Sequence, residues 1–252
     1  MRVFAPLEHL SVAFALLSRL PVPPVRAGAF DRQDRAVWAY PVVGLVVGLL
    51  AAGAGLLALR LGLAPGIAGL LAVTVQVVVT GAMHEDGLAD TADGLWGGLT
   101  PERRLDIMRD SRIGTYGVLA LILSVGIRVQ ALALLLPLGG TGVAALAVAA
   151  MTSRAIMPAL MAALPHARKD GLARQVGRPG VAPVALGGGI ALVAALVAFG
   201  PMGLGACLAA LLAGAGLGLL ARARLGGQTG DILGASQQIA EIAVLLTCLC
   251  LL

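Results

Sequence analysis

The sequence predicts an all-α, polytopic membrane protein, a helical bundle of about seven spans preceded by an interfacial or re-entrant segment. Hydrophobic residues make up 59% of the 252 residues and charged residues only 12%, whereas charged residues make up about 25% of a typical soluble domain. The mean hydropathy is +0.95. Several apolar stretches also approach the roughly 20 residues that a helix needs to cross a bilayer.

Short polar segments separate these apolar stretches and define the expected spans. The spans are predicted at 38–59, 66–83, 116–137, 142–164, 181–199, 202–221 and 238–252. Segment 4–22 contains Arg19 and Pro21 and shows no small-residue cleavage site, so we expect it to be retained and to lie in the interface or re-enter. Without a repeat or a long linker, residues 1–252 are expected to form a single integral membrane domain.

Lysine and arginine concentrate in alternate polar segments of this arrangement. Of the 18 basic residues, five precede the first span, four lie in 84–114, four in 165–180 and two in 222–237. The opposite connecting segments contain only Arg60. Because cytoplasmic loops retain positive charge, the N-terminus and residues 84–114 are predicted to face the cytoplasm. This topology accounts for the net charge of +5, so no nucleic-acid partner is expected.

The segment HEDGLADTADG, residues 84–94, concentrates negative charge in an apolar chain. Seven of the 13 acidic residues lie between Glu85 and Asp110. On a helix, Asp86, Asp90 and Asp93 are related by i, i+4 and i+7, so they project from one face. Like charges held this close disfavour one another unless a cation lies between them. Ligands that are all carboxylate oxygens favour Mg²⁺ or Mn²⁺ over Zn²⁺.

A magnesium site of this kind also predicts a substrate that carries phosphate, because Mg²⁺ usually shares its coordination with substrate phosphates. Fork-shaped donors for phosphate oxygens follow in the sequence at Arg103, Arg104, Arg109 and Arg112. The glycine-rich turn GGQTGDILGA, residues 226–235, precedes the last span. There Thr229 or Asp231 either caps the helix or contributes to phosphate and metal binding.

Two alternatives to a metal site remain open on these residues alone. The charges of 84–114 are also typical of a solvated face whose acids and arginines pair among themselves. A cation-coupled transporter is the second alternative, although the midspan regions carry Arg128 and Arg154 and no acid except Glu241. Each of these two arginines needs an anionic partner, because an unpaired charge in the membrane costs about 2.5 to 3.5 kcal/mol.

Several motifs together resemble the cobalamin synthase family, adenosylcobinamide-GDP ribazoletransferases, and the likeness covers nearly the whole chain. The motifs are LLSRLPVP at 16–23, AVWAYPVVGLVVG at 36–48, GAMHEDGLADTADGLWGG at 81–98, RRLDIMRDSRIGTYG at 103–117, PHARKDGLAR at 165–174 and GGQTGDILGA at 226–235. The resemblance implies a multi-pass enzyme of the bacterial cytoplasmic (inner) membrane with its active site facing the cytoplasm. Its partners would be membrane lipid and two small-molecule substrates, with a homo-oligomer left open.

The implied reaction requires Mg²⁺ and joins α-ribazole, or its 5′-phosphate, to adenosylcobinamide-GDP with release of GMP. We hypothesise that the metal ligands are Asp86, Asp90, Asp93 and Asp231. Asp106 or Asp110 would accept the hydroxyl proton. The groups hypothesised to bind substrate are Arg103, Arg104, Arg109, Arg112, Arg154, Arg168 and Thr229. The CDP-alcohol phosphotransferases are the enzymatic alternative, but their DGxxAR pattern is absent because Leu88, Ala89 and Asp90 follow Asp86-Gly87.

Overall fold

The computed structural model describes residues 5–25 and 28–252, and the regular structure of this part of the chain is helical. Arg2 and Arg26, two of the basic residues used to predict topology, lie outside the described residues. The α-helices are α1 (Ala5–Leu17), α2 (Gln33–Ala36), α3 (Tyr40–Arg60), α4 (Pro65–Thr80), α5 (Met83–Gly97), α6 (Pro101–Ile107), α7 (Thr115–Leu135), α8 (Gly140–Ala163), α9 (Leu172–Val176), α10 (Val181–Phe199), α11 (Gly203–Leu225) and α12 (Gly230–Leu251).

The helical membrane bundle predicted from the sequence is confirmed. Five helical stretches of the described residues are long and apolar enough to cross a membrane, and α4 with α5 would add a sixth. One of the five, Val181–Leu225, reverses direction at Gly200, so that Gly203 lies against the Ala195 carbonyl. The predicted count of about seven is reached when α10 and α11 are taken separately. Helix α1 has 13 residues and is too short to span.

Helix α8 lies at the centre of the bundle, and small residues allow its neighbours to approach it. A Cβ at Gly44 of α3 would meet the Ala150 carbonyl oxygen, and one at Gly214 of α11 would meet Ile156. Such contacts are typical of membrane helices, where small residues let backbones pack closely. Because Gly48 of α3 lies against Ala147, successive α3 residues meet earlier α8 residues, and the two helices are antiparallel.

The chain bends by 91° between α4 and α5. Two consecutive residues in the left-handed region, Gly81 with φ +68° and Ala82 with φ +57°, produce this bend. Ala82 is the one non-glycine residue of the described chain with a positive φ, a conformation that costs an L-residue about 1–2 kcal/mol. The amide of Arg19, just after α1, donates to the Val79 carbonyl and holds the N-terminal segment against the bend. The acid-rich helix α5 therefore turns away from the axis of α4.

The arginine-rich segments gather at one end of the bundle. Arg109, between α6 and α7, pairs with Asp170, between α8 and α9. Arg168 of the same α8–α9 segment pairs with Asp231 at the start of α12. A single surface that includes α5 is thus formed by three polar segments that are remote in sequence, 84–114, 165–180 and 226–231.

A candidate active site at the start of α5 and α12

The site forms where α5 crosses α12. Gly87 of α5 lies so close to α12 that an added Cβ would be 2.8 Å from the Asp231 carbonyl oxygen. Gly234 of α12 faces Gly87, and a Cβ added there would be 3.3 Å from the His84 Cα and 3.4 Å from the Gly87 Cα. These two glycines let the helix backbones touch. As a result, the carboxylates of Asp86 and Asp231, which are 145 residues apart, border the same cavity.

Asp231 is held by groups at the N-terminus of α12 and in the α8–α9 segment. The Thr229 hydroxyl donates to Asp231 Oδ2 at 3.3 Å and accepts from the Ile232 amide, so Thr229 caps the helix as one sequence alternative predicted. Arg168 Nη1 lies 3.0 Å from Asp231 Oδ2. Arg168 is placed there because the Gln228 amide donates to the Pro165 carbonyl at 2.8 Å and the Ala167 amide donates to the Gln228 carbonyl at 2.9 Å.

A cavity of about 200 Å³ connects these groups. Its polar end includes Asp86, Arg168, Thr229 and Asp231, and its walls come from both ends of the sequence. His166 also borders the cavity, and its Nδ1 is 2.9 Å from the Gln228 amide nitrogen. Burial, followed by the charges of Arg174 and Arg178, lowers the pKa of His166, so its imidazole is neutral at pH 7.

Asp90 is half-buried one turn beyond Asp86, and the charges of Asp86, Asp231 and Asp93 all act on its carboxylate. The spacing of Asp86 and Asp90 therefore produces the like-charge neighbourhood that the sequence predicted. Only Arg168 opposes this charge among the groups that act on Asp90. Three carboxylates and one guanidinium leave the region with excess negative charge, which favours a bound cation.

Asp93 has a different environment from the other predicted metal ligands. Its two carboxylate oxygens accept hydrogen bonds from the backbone amides of Gly114 and Gly117, at 2.7 and 2.8 Å. These amides belong to the start of α7, where free N–H groups and the helix dipole favour an anion. Asp93 is buried and borders a second cavity on another side of α5. The structure therefore gives Asp93 a role in anchoring α7.

Among the described residues, no group of three or more His, Cys, Asp or Glu side chains is arranged to hold a metal ion. Mg²⁺ typically binds to one or two carboxylates and completes its coordination with water and substrate phosphate. Asp86 and Asp231 border the same cavity, whereas the Asp93 carboxylate accepts from two backbone amides.

The predicted proton acceptors, Asp106 and Asp110, border the second cavity, apart from Asp86 and Asp231. Arg112 donates to Asp110 from its side chain, with Nη2 2.8 Å from Oδ2, and from its backbone amide. These hydrogen bonds lower the pKa of Asp110, which is fully exposed. A lowered pKa makes the Asp110 carboxylate a weaker base.

The arginines predicted to bind substrate occupy several environments. Exposed Arg109 pairs with Asp170 at 2.7 Å, as expected of a solvated charged face. Arg103 borders the second cavity, as does Arg112. Arg104 is buried, and its Nη1 lies 3.2 Å from the Arg224 carbonyl at the end of α11. Of the predicted arginines, only Arg168 borders the cavity that contains Asp86 and Asp231.

Arg128 and Arg154 are fully buried, and the structure supplies the anions that the sequence required. Arg128 Nη1 lies 2.8 Å from Glu85, and Arg128 Nε lies 3.3 Å from Glu241. Arg154 Nη1 lies 3.8 Å from Glu241 and does not border the cavity. The contact of Arg154 with substrate stays a prediction, and in this structure its buried guanidinium lies beside Glu241 of α12.

Glutamines complete this buried network. Gln76 and Gln238 accept hydrogen bonds from Arg128 at 2.9 and 2.8 Å, and Gln237 donates to Glu241 at 2.7 Å. The network joins α4, α5, α7, α8 and α12 directly behind the acid-rich helix. Two glutamates balance two arginines, so the cluster is electrically neutral, which gives little support to a cation pathway.

Sequence reasoning missed the apolar part of the cavity. Tyr40, Met157 and Met161 border it, and each is at least 95% buried. The apolar periodicity of spans 38–59 and 142–164 gave no indication that these residues face a cavity. The motifs AVWAYPVVGLVVG and PHARKDGLAR did mark two of the segments that surround it.

The comparisons with known proteins show the family of this chain. The family model for cobalamin-5-phosphate synthase matches residues 9–249. A relative from Bradyrhizobium diazoefficiens, named adenosylcobinamide-GDP ribazoletransferase, is 48% identical over 246 residues, which cover 95% of this chain and 92% of the relative. No solved structure matches this chain.

Relatives from other bacteria carry the same name. One from Rhizobium etli is 46% identical over 241 residues, covering 92% of this chain and 93% of the relative. Another, from Rhizobium meliloti, is 47% identical over 251 residues, covering 94% of each. These matches extend over nearly the whole chain, so they include every segment that borders the cavity.

Proposed function

Because the chain belongs to the cobalamin-5-phosphate synthase family, we propose that it is an adenosylcobinamide-GDP ribazoletransferase whose active site is the cavity between α5 and α12. The family match over residues 9–249 carries the reaction class. The location rests on the cavity, where Asp86, Asp231 and Arg168 come together at one end of the bundle. This combination of carboxylates and guanidinium suits a diphosphate substrate.

The proposed reaction is a displacement at phosphorus. A ribose hydroxyl oxygen of the ribazole acceptor bonds to the phosphorus on the cobinamide side of the diphosphate. The bond from that phosphorus to the bridging oxygen breaks, and the electron pair leaves with GMP. The hydroxyl proton passes to a base, for which Asp106 and Asp110, both on the second cavity, stay predictions. Phosphoryl transfer needs alignment and charge neutralisation more than covalent help from the protein.

We assign Asp86, Asp90 and Asp231 as the side chains that would hold Mg²⁺ together with the diphosphate. When bound, the ion would neutralise charge on the diphosphate and on the departing GMP. Arg168 would orient a phosphate oxygen from its position beside Asp231. Thr229 and the capped start of α12 direct backbone N–H groups toward the same region, where phosphate is favoured.

We place the site on the cytoplasmic face of the inner membrane. The support is that the arginine-rich segments gather at the cavity end of the bundle, as the positive-inside rule predicts. Lys169→Cys, in a background without the three native cysteines, should react with an impermeant maleimide only in inverted vesicles. Arg60→Cys should react only in right-side-out cells or spheroplasts, and the opposite pattern would overturn this orientation.

Turnover by the purified protein tests the proposed function. The protein in detergent is supplied with adenosylcobinamide-GDP, α-ribazole and Mg²⁺, and the products are separated by chromatography. We expect a cobamide and GMP in equal amounts. Asp231→Asn should abolish turnover, whereas Asp31→Asn, at an exposed position of the N-terminal segment, should leave it unchanged. Release of CMP from a CDP-alcohol, without any cobamide, would instead identify a CDP-alcohol phosphotransferase.

A further inference from the structure

The candidate active-site cavity has an apolar end that the chemistry at phosphorus does not use. Besides Asp86, Arg168 and Asp231, the cavity is lined by buried side chains from α1, α3, α8, α9 and α12 that pack together in one hydrophobic cluster, the apolar end. These side chains are Leu17, Tyr40, Met157, Met161, Val176 and Leu233. Each is at most 6% exposed, so the apolar end is a built pocket within the bundle.

The size of the cavity limits what can enter it. Its volume is about 200 Å³, and an apolar cavity of about 150 Å³ is known to admit benzene. A flat system of one or two rings therefore fits, whereas a corrin macrocycle, which joins four five-membered rings, does not. The corrinoid must stay outside, and only a smaller part of one substrate can occupy the pocket.

Two flat ring systems take part in the proposed reaction, and the polarity of the pocket distinguishes them. Guanine carries a ring N–H, an amino group and a carbonyl oxygen, all of which need partners when buried. The dimethylbenzimidazole of ribazole carries two methyl groups and, once joined to ribose, a single acceptor nitrogen. Among the apolar-end residues named above, Tyr40 has the hydroxyl that can donate to this acceptor, and the unpartnered His84 Nε2 and Gln228 Oε1 also belong to the cavity lining. Methionine sulfur also packs well against aromatic rings.

We propose that the apolar end of the cavity binds the benzimidazole base of the ribazole acceptor, a site that rests on the proposed function. The base lies among Tyr40, Met157 and Met161, and the ribose is directed toward Asp86 and Asp231. The cobinamide diphosphate then approaches from the exposed side of α5. The same pocket thereby selects the base that becomes the lower ligand, because the residues that line it admit only a ring system of matching width and polarity.

Steady-state kinetics with both substrates varied in turn test this assignment. Met157→Phe narrows the pocket and should raise the KM for α-ribazole at least about fivefold, while the KM for adenosylcobinamide-GDP stays within twofold. The matched control is Met202→Phe, at an exposed methionine between α10 and α11, which should change neither KM. Tyr40→Phe provides a second variant that removes only a hydroxyl, and it too should raise the KM for α-ribazole alone.

A ribazole analogue without the two methyl groups gives a readout that general damage to the fold would not produce. The wild-type protein should bind this analogue about tenfold more weakly than α-ribazole, because two buried methyl groups are lost. In Met157→Phe the preference should shrink or reverse, since the smaller base fits the narrowed pocket better. If Met157→Phe does not fold, the same comparison is made with Met157→Ala, which should weaken α-ribazole binding more than analogue binding.

The outcomes separate this inference from the proposed function. If the variants alter the KM for adenosylcobinamide-GDP and leave that for α-ribazole unchanged, the pocket holds the guanine side and the inference is overturned while the function stands. If the wild-type protein produces no cobamide, the proposed function fails, and binding of α-ribazole measured by calorimetry decides the inference. Loss of that binding in Met157→Phe but not in Met202→Phe would still support the pocket, and equal binding would overturn it.

Discussion

Replacement of Arg128 by methionine should destabilise the protein more than loss of its hydrogen bonds alone would predict. The guanidinium is 1% exposed and donates to Glu85, Gln76 and Gln238 at 2.8 to 2.9 Å. Hydrogen bonds between membrane helices average about 0.6 kcal/mol, so three such bonds contribute about 2 kcal/mol. Removal of one partner from a buried ion pair costs about 3–5 kcal/mol, because the other charge stays buried. We therefore expect Arg128→Met to lower the free energy of unfolding by about 3–5 kcal/mol, rather than by the roughly 2 kcal/mol of its hydrogen bonds alone.

Unfolding in mixed micelles of dodecylmaltoside and SDS, followed by circular dichroism, measures this loss. Arg60→Met, at an exposed site, is the matched control. The double variant Glu85→Met with Arg128→Met should recover part of the stability, because it removes both members of the pair and leaves Glu241 with Arg154. If the free energy of unfolding of Arg128→Met is within about 1 kcal/mol of that of the Arg60→Met control, the buried network does not stabilise α5 as the structure indicates.

Three further variants test other parts of the structure. Asp93→Ala should lower the free energy of unfolding by about 1–2 kcal/mol, since it removes the acceptor at the start of α7; an unchanged value would contradict that role. Asp110→Asn should leave kcat unchanged, because Asp110 pairs with Arg112 and borders a different cavity from Asp86 and Asp231; loss of turnover in a variant that still folds would identify Asp110 as the base. Ala82→Gly should raise stability by about 1 kcal/mol by relieving the positive φ, and a lower melting temperature would show that the bend is not strained.

The spans could be predicted because each apolar stretch is long enough to cross the bilayer, and its length and composition can be read from the local sequence alone. The 91° bend between α4 and α5 could not be predicted from the sequence, because Ala82 adopts a left-handed conformation that is rare for alanine. The predicted span 66–83 consequently continued past the end of α4 at Thr80. Helical spacing correctly indicated the helix over Asp86 and Asp90.

The candidate site was predictable only in part, because side-chain partners depend on which helices meet. Asp93 shares a helical face with Asp86 in sequence, but the amides of Gly114 and Gly117 engage its carboxylate. In the same way, Arg109 is near the acids in sequence, yet Asp170 of a distant segment pairs with it. The prediction that the buried arginines have anionic partners is confirmed. It rests on the free-energy cost of an unpaired charge inside the bundle, which is the same whichever helices meet.

Electron paramagnetic resonance of Mn²⁺ tests most directly whether Asp86, Asp90 and Asp231 hold a cation together with the diphosphate. The wild-type protein with adenosylcobinamide-GDP should immobilise about one Mn²⁺ or more per chain, and binding should weaken at least tenfold without the diphosphate substrate or in Asp90→Asn. The control variant Asp31→Asn should bind as the wild-type protein does. Equal Mn²⁺ binding by Asp90→Asn and wild-type protein, with substrate present, would contradict the account.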